Sequence, residues 1–170
     1  MIGFIRAHGA DPGPTQRPLL AGGLSGLAAL VPAAAVFVAF GSFAVAADDV
    51  LRLPRPVTAV LVSALFILAG VLYGALFRRA ANDPAAGWLF GMAYGFLLWV
   101  VAPIVVLPLL RGPVMAAGLA AIGFLATFLI WGLLAGILLP LIHHPLRGRL
   151  DGRGKGRFGP EAPTLKRRLL

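Results

Sequence analysis

Residues 69–77 read AGVLYGALF and residues 90–98 read FGMAYGFLL. Both carry Gly-x-x-Tyr-Gly: Gly70, Tyr73 and Gly74 first, then Gly91, Tyr94 and Gly95. Residues four apart share one face of an α-helix. In lipid, helices gain nothing by hiding apolar surface, and glycines at this spacing let two backbones approach closely. The repeated stretch therefore points to helices packed inside a membrane.

Composition agrees. Soluble domains are about half apolar and a quarter charged. This chain of 170 residues is 59% hydrophobic and 12% charged, with mean hydropathy +0.92. A core of that size cannot hide so much apolar surface. The absence of cysteine excludes disulfides, thiolate metal sites and thiol catalysis.

Stretches free of Asp, Glu, Lys and Arg lie between Arg17 and Asp48, Arg55 and Arg78, Asp83 and Arg111, and Arg111 and Arg147. A membrane span needs about 20 residues. The expected fold is an all-α polytopic membrane protein with four transmembrane helices, at 19–46, 57–78, 86–110 and 117–142. Residues 1–18 form an N-terminal segment, 19–142 the membrane domain and 143–170 a basic tail. Ala44-Val45-Ala46 resembles a signal cleavage site, but the apolar run before it exceeds the usual 7–15 residues or so. It reads as a true span.

Four spans put both termini and the middle loop on one side. That side holds Arg6, Arg17, Arg78, Arg79 and the eight basic residues from Arg147 to Arg168, against Arg52, Arg55 and Arg111 opposite. The positive-inside rule places the basic side in the cytoplasm. The expected location is a bacterial inner membrane.

Span 1 also carries Gly22 and Gly26, and span 4 carries Gly132 and Gly136. All four pairs fall in the cytoplasmic halves of their spans. Gly22/Gly26 map onto Gly91/Gly95 at an offset of 69, and Gly70/Gly74 onto Gly132/Gly136 at 62. This suggests parallel duplication of a helical hairpin, although glycine is common in membrane helices generally. The short turn between spans 2 and 3 predicts that Gly74 and Gly95 face each other. Pro32, Pro103 and Pro108 lie in the middle or outer parts of spans 1 and 3, where proline removes a donor and kinks a helix. Tight packing at one end and bent helices at the other imply a splayed bundle. An outward-facing apolar cavity follows, unless neighbouring helices or lipid fill the splay.

The stretches GWLFGMAYGFLLWVVAPIVVLP and IWGLLAG resemble, over about residues 19–142, the YagU-like group of uncharacterised bacterial inner-membrane families. The resemblance implies four helices, with paired glycines ending the second and fourth. A histidine often precedes those glycines in that group, and this chain has none there. No functional residue carries over.

Intramembrane chemistry has little to work with. The four spans hold no carboxylate, lysine or histidine, the groups that usually mark catalysis or proton transfer in a membrane. No Ser-His-Asp set or phosphate loop can be assembled. Asp48 and Asp49 mark an outer helix end, with cation binding as the alternative. His143 and His144 close span 4. Adjacent residues point about 100° apart on a helix, which disfavours one metal held by both. A haem or chlorin ligand is the sharper reading and a polar helix end the plainer one. Neither cofactor nor metal is expected. Tyr73 and Tyr94 suit an aromatic belt, or a hydrogen bond locking spans 2 and 3. Trp88 reads as an anchor, and Trp99 and Trp131 as lipid or partner contacts.

In the tail, Arg147, Arg149, Arg153, Lys155, Arg157, Lys166, Arg167 and Arg168 are positioned to meet anionic lipid or an acidic partner. Nucleic acid is not an expected partner, because only Phe158 interleaves this charge. The reading is a non-enzymatic accessory or scaffold subunit that binds membrane lipids and other integral subunits. The alternative is a small transporter or lipid-handling protein using the outward cavity, with Ser25, Ser42, Ser63 and Thr127 as its few polar groups.

Overall fold

The computed structural model describes residues 17–78, 86–106, 109 and 118–154, with side chains followed to residue 143. Helix α1 is Pro18–Ala39, and α2 is a helical turn, Ser42–Ala44, continued by a π-helical segment, Val45–Leu51. Helix α3 is Arg55–Leu76. Helix α4 is Gly87–Trp99 and widens into a π-helical segment, Val100–Val106. Helix α5 is Leu119–Gly154. No strand occurs among the described residues. Four segments, Pro18–Ala39, Arg55–Leu76, Gly87–Val106 and Leu119–His143, are long and apolar enough to cross a membrane.

Local chemistry sets the boundaries. Pro18 opens α1 at a position where its missing N–H costs nothing. The first span is shorter than the expected 19–46. It breaks at Gly41, whose φ of +72° is a left-handed conformation that glycine tolerates and ordinary residues resist. The following α2 turns aside, and Ser42 Oγ donates to the Ala120 carbonyl at 2.8 Å, tying it to the start of α5. Pro32 lies within α1 without ending it. Pro103 falls inside the π-helical segment of α4. Such bulges commonly accompany a missing or displaced hydrogen bond. Pro108 lies outside the described residues.

Helix α5 runs past the expected end at 142, through Pro145 to Gly154. Arginine and leucine favour helix, and Pro145 withdraws a single donor. Arg147, Arg149 and Arg153 are therefore on a helix, while Lys155, Arg157, Lys166, Arg167 and Arg168 lie outside the described residues.

The helices run up, down, up and down. We call the half near the start of α1 and the end of α3 the proximal half, and the half near α2 the distal half. In the proximal half α1 packs on α3 through glycine. A Cβ on Gly70 would lie 2.6 Å from the Gly22 carbonyl oxygen and 2.8 Å from Gly26 Cα, and a Cβ on Gly74 would lie 2.9 Å from Gly22 Cα. Helix α4 packs on α5 in the same way: a Cβ on Gly91 would lie 3.0 Å from Gly136 Cα, and one on Gly132 would lie 3.1 Å from Gly95 Cα.

This corrects the expected facing of Gly74 and Gly95. The glycines of α3 meet those of α1, and the glycines of α4 meet those of α5. Adjacent residues on a helix are about 100° apart, so Tyr73 and Tyr94 point to a different neighbour from Gly74 and Gly95. Gly-x-x-Tyr-Gly is a corner: two glycines seat one helix and the tyrosine reaches another.

The glycine contacts of the two hairpins correspond. Gly22 meets Gly70 and Gly74 as Gly91 meets Gly132 and Gly136, and Gly26 meets the Phe66 carbonyl as Gly95 meets that of Phe128. Each correspondence obeys the offsets of 69 and 62. The equivalent rings of Phe66 and Phe128 touch, with centroids 5.1 Å apart. The repeat is then broken between hairpins. Helices α1 and α5 pack closely, with Ala29 and Ala33 against Trp131, Ala135 and Leu139. Helices α3 and α4 stand further apart, bridged by aromatic rings.

Candidate functional site

Two features could bear function: the polar seam of the proximal half and an apolar cavity in the distal half.

The seam is built from three long-range hydrogen bonds. Tyr73 Oη donates to the Gly87 carbonyl at 3.0 Å, and Tyr94 Oη donates to the Ala69 carbonyl at 3.2 Å. The two bonds run in opposite directions between α3 and α4, and the rings lie 5.4 Å apart. Trp131 Nε1 donates to the Gly26 carbonyl at 3.0 Å, joining α5 to α1. Tyr73 and Trp131 are fully buried and Tyr94 nearly so. The tyrosines are therefore not belt anchors, and Trp131 is not a lipid or partner contact. A belt residue needs its polar tip at the headgroups, whereas these tips find partners inside. A polar group left unpaired in hydrocarbon costs about 4–8 kcal/mol by cyclohexane transfer, so these carbonyls hold the rings inward.

Two further buried hydroxyls are engaged within their own helices. Ser25 Oγ donates to the Gly22 carbonyl at 2.9 Å and Thr127 Oγ1 to the Gly123 carbonyl at 2.7 Å. No buried side-chain nitrogen or oxygen among the described residues lacks a partner. The seam is thus a fastening, with no open polar position for a substrate.

The cavity measures about 290 Å³ and is lined by Leu30, Ala34, Phe37 and Val38 of α1, Phe43 of α2, Ala59, Val62, Ser63 and Phe66 of α3, and Thr127 of α5. It opens where α1 and α3 diverge beyond their glycine contacts. Small residues create the space, since Ala34 faces Ala59 and Ser63 across it. Its volume is near the lower end of small-molecule sites, about 300–1,000 Å³. The floor is aromatic: Phe66 touches Trp131 with centroids 5.3 Å apart, and Phe37 stacks edge-on against Phe124 at 5.1 Å.

The repeat supplies an internal comparison. At the offsets of 69 and 62, Leu30, Val62 and Ser63 correspond to Trp99, Phe124 and Leu125. Trp99 packs with Phe124 in the distal core. Larger side chains stand at these three positions of the second hairpin, whereas Ala59 and Phe66 correspond to Ala121 and Phe128, and Phe37 to the smaller Val106.

At the distal rim, Arg55 Nη2 donates to Asp48 Oδ2 at 2.9 Å, with both side chains at least half exposed. His143, where the membrane-spanning part of α5 ends, is buried. No cluster of three or more His, Asp or Glu that could hold a metal occurs among the described residues. The aromatic seam, the Trp131 bond and the cavity lining were not assembled by sequence reasoning. The tyrosine within each glycine pair was the one signal that pointed to the seam.

The architecture defines a multi-pass membrane protein of four apolar helices. No protein-family model, curated protein or solved structure matches this chain.

Proposed function

We propose that this protein is a non-enzymatic lipid-handling protein of the bacterial inner membrane, holding an apolar molecule in its distal cavity. The observation that carries the reading is the cavity of about 290 Å³, lined by apolar side chains apart from Ser63 and Thr127. Twelve of the fifteen Lys and Arg belong to the side of the termini, which favours cytoplasmic termini and a cavity in the outer leaflet. The likeness to the YagU-like group is compatible with this reading and adds no residue to it.

The accessory-subunit reading loses one of its motives, because the glycine stripes are consumed within the chain. It keeps one observation: the segment Val100–Val106 has no buried residue, leaving an apolar face for a partner helix. The cavity is the more specific feature.

The test is extraction. Protein purified in mild detergent is extracted with organic solvent, and the released molecules are identified by mass spectrometry. A stoichiometric apolar molecule that is absent from an Ala34→Phe variant supports the reading. Equal amounts from both proteins, or none from either, would remove it in favour of the subunit.

A further inference from the structure

The cavity has a charged rim. Helix α3 is unbroken from Arg55 to Leu76, so Arg55 stands one turn before Ala59 on the face that also carries Ser63 and Phe66. Four residues of helix rise about 6 Å. Arg55 therefore stands beyond the distal end of the cavity's α3 wall, at the end of a membrane span. It donates to Asp48 through Nη2. A guanidinium has five N–H donors, so most of its donor capacity remains, and it is exposed enough to use it.

The cavity has an α3 wall, from Ala59 to Phe66, about 10 Å long at 1.5 Å per residue. Its volume would hold roughly ten groups the size of water at about 30 Å³ each, which is a single short hydrocarbon segment. The surrounding medium consists of such chains.

We infer that the cavity takes one acyl chain of a zwitterionic phospholipid with a primary ammonium. The phosphate lies against Arg55 and the ammonium against Asp48. This rests on the cavity reading above and adds the class of occupant. Charge complementarity argues for it: Arg55 and Asp48 are an exposed cation and anion held together at 2.9 Å, and a zwitterionic headgroup brings a charge of opposite sign to each. An anionic headgroup lacking the ammonium would satisfy Arg55 and face Asp48 and Asp49 with nothing to offer them. An uncharged glyceride would leave the ion pair as it stands, with no added contact. Planar guanidinium donors recognise phosphate oxygens with more geometric specificity than a point charge does.

The experiment is native mass spectrometry of the full chain, delipidated in mild detergent. It is titrated separately with phosphatidylethanolamine, phosphatidylglycerol and diacylglycerol of the same chains. Wild type should retain one phosphatidylethanolamine, about tenfold more tightly than either competitor, a difference of about 1.4 kcal/mol. Arg55→Gln should erase the preference for phospholipid over diacylglycerol. Asp48→Asn should erase the preference for the ethanolamine headgroup over glycerol. Ala34→Phe should lose all three lipids, and Ala59→Phe, at an exposed position of the mouth, should do the same without disturbing the core. Equal retention of all three lipids by wild type, abolished by the plugs, overturns the headgroup inference and leaves the cavity reading intact. Retention that ignores both plugs overturns the cavity reading itself.

Discussion

Replacing Gly70 with alanine probes the contact on which the bundle rests. The new Cβ would lie 2.6 Å from the Gly22 carbonyl oxygen and 2.8 Å from Gly26 Cα, both main-chain atoms. An ordinary contact begins at 3.4 Å, so α1 and α3 must separate by about 0.8 Å. A gap of that order forfeits a quarter to a half of each dispersion contact along the seam, each worth about 0.1–0.2 kcal/mol. Overpacking of this kind costs about 1–3 kcal/mol. Helix propensity returns about 1 kcal/mol, because alanine is the better helix former. The expected net loss is up to about 2 kcal/mol, with no hydrophobic drive in lipid to pull the helices back. Gly23→Ala is the matched control. Its Cβ meets only Val71 Cγ2, at 3.2 Å and at the end of a side chain, so the propensity gain should survive and the variant should match or exceed wild type. Gly132→Ala, the equivalent of Gly70 in the second hairpin, should behave like Gly70→Ala. Unfolding free energies measured by SDS titration in mixed micelles decide the matter. Equal stability of Gly70→Ala and Gly23→Ala would refute the assignment of the glycine contact to α1 and α3.

The reciprocal tyrosine bonds can be tested by Tyr73→Phe and Tyr94→Phe. Each should cost about 0.6 kcal/mol and at most about 1.7, the mean and maximum for interhelical hydrogen bonds in membranes, and the double variant should depart from their sum because both bonds join the same two helices. Strict additivity in the double-mutant cycle would argue that the two bonds act independently. Ala34→Phe should stabilise the delipidated protein by about 0.5–2 kcal/mol, as cavity filling commonly does. The advantage should shrink in saturating lipid, which stabilises only the open wild type; a constant advantage with and without lipid would count against an occupied cavity.

The glycine spacing made the four helices and the depth of their contacts legible, because period and length are written along the chain. It did not identify the partners. Glycines at matched depth are available to every antiparallel neighbour, and loop length favoured α3 against α4. What decides is the direction around each helix. Tyr73 and Tyr94, about 100° from the glycines, prop α3 and α4 apart, while Ala29 and Ala33 let α5 close on α1. The break at Gly41 was also hidden, since apolar residues continue to Ala47 and only the backbone conformation marks the turn. Proline and glycine placement did point to a bundle tight at one end and open at the other, but the lining residues come from four segments. Their convergence depends on that break and on Thr127 of α5, neither of which a periodic pattern reveals.

The central claim is that a hydrocarbon chain enters between α1 and α3. Trp131 is fully buried and lies behind Phe66, the floor of the cavity. With Trp88 and Trp99 replaced by phenylalanine, it becomes the single reporter. In bilayers of phospholipid brominated near the chain terminus, the account predicts strong quenching of Trp131 that Ala34→Phe abolishes. Quenching that is weak in the open protein, or unchanged by the plug, would contradict it.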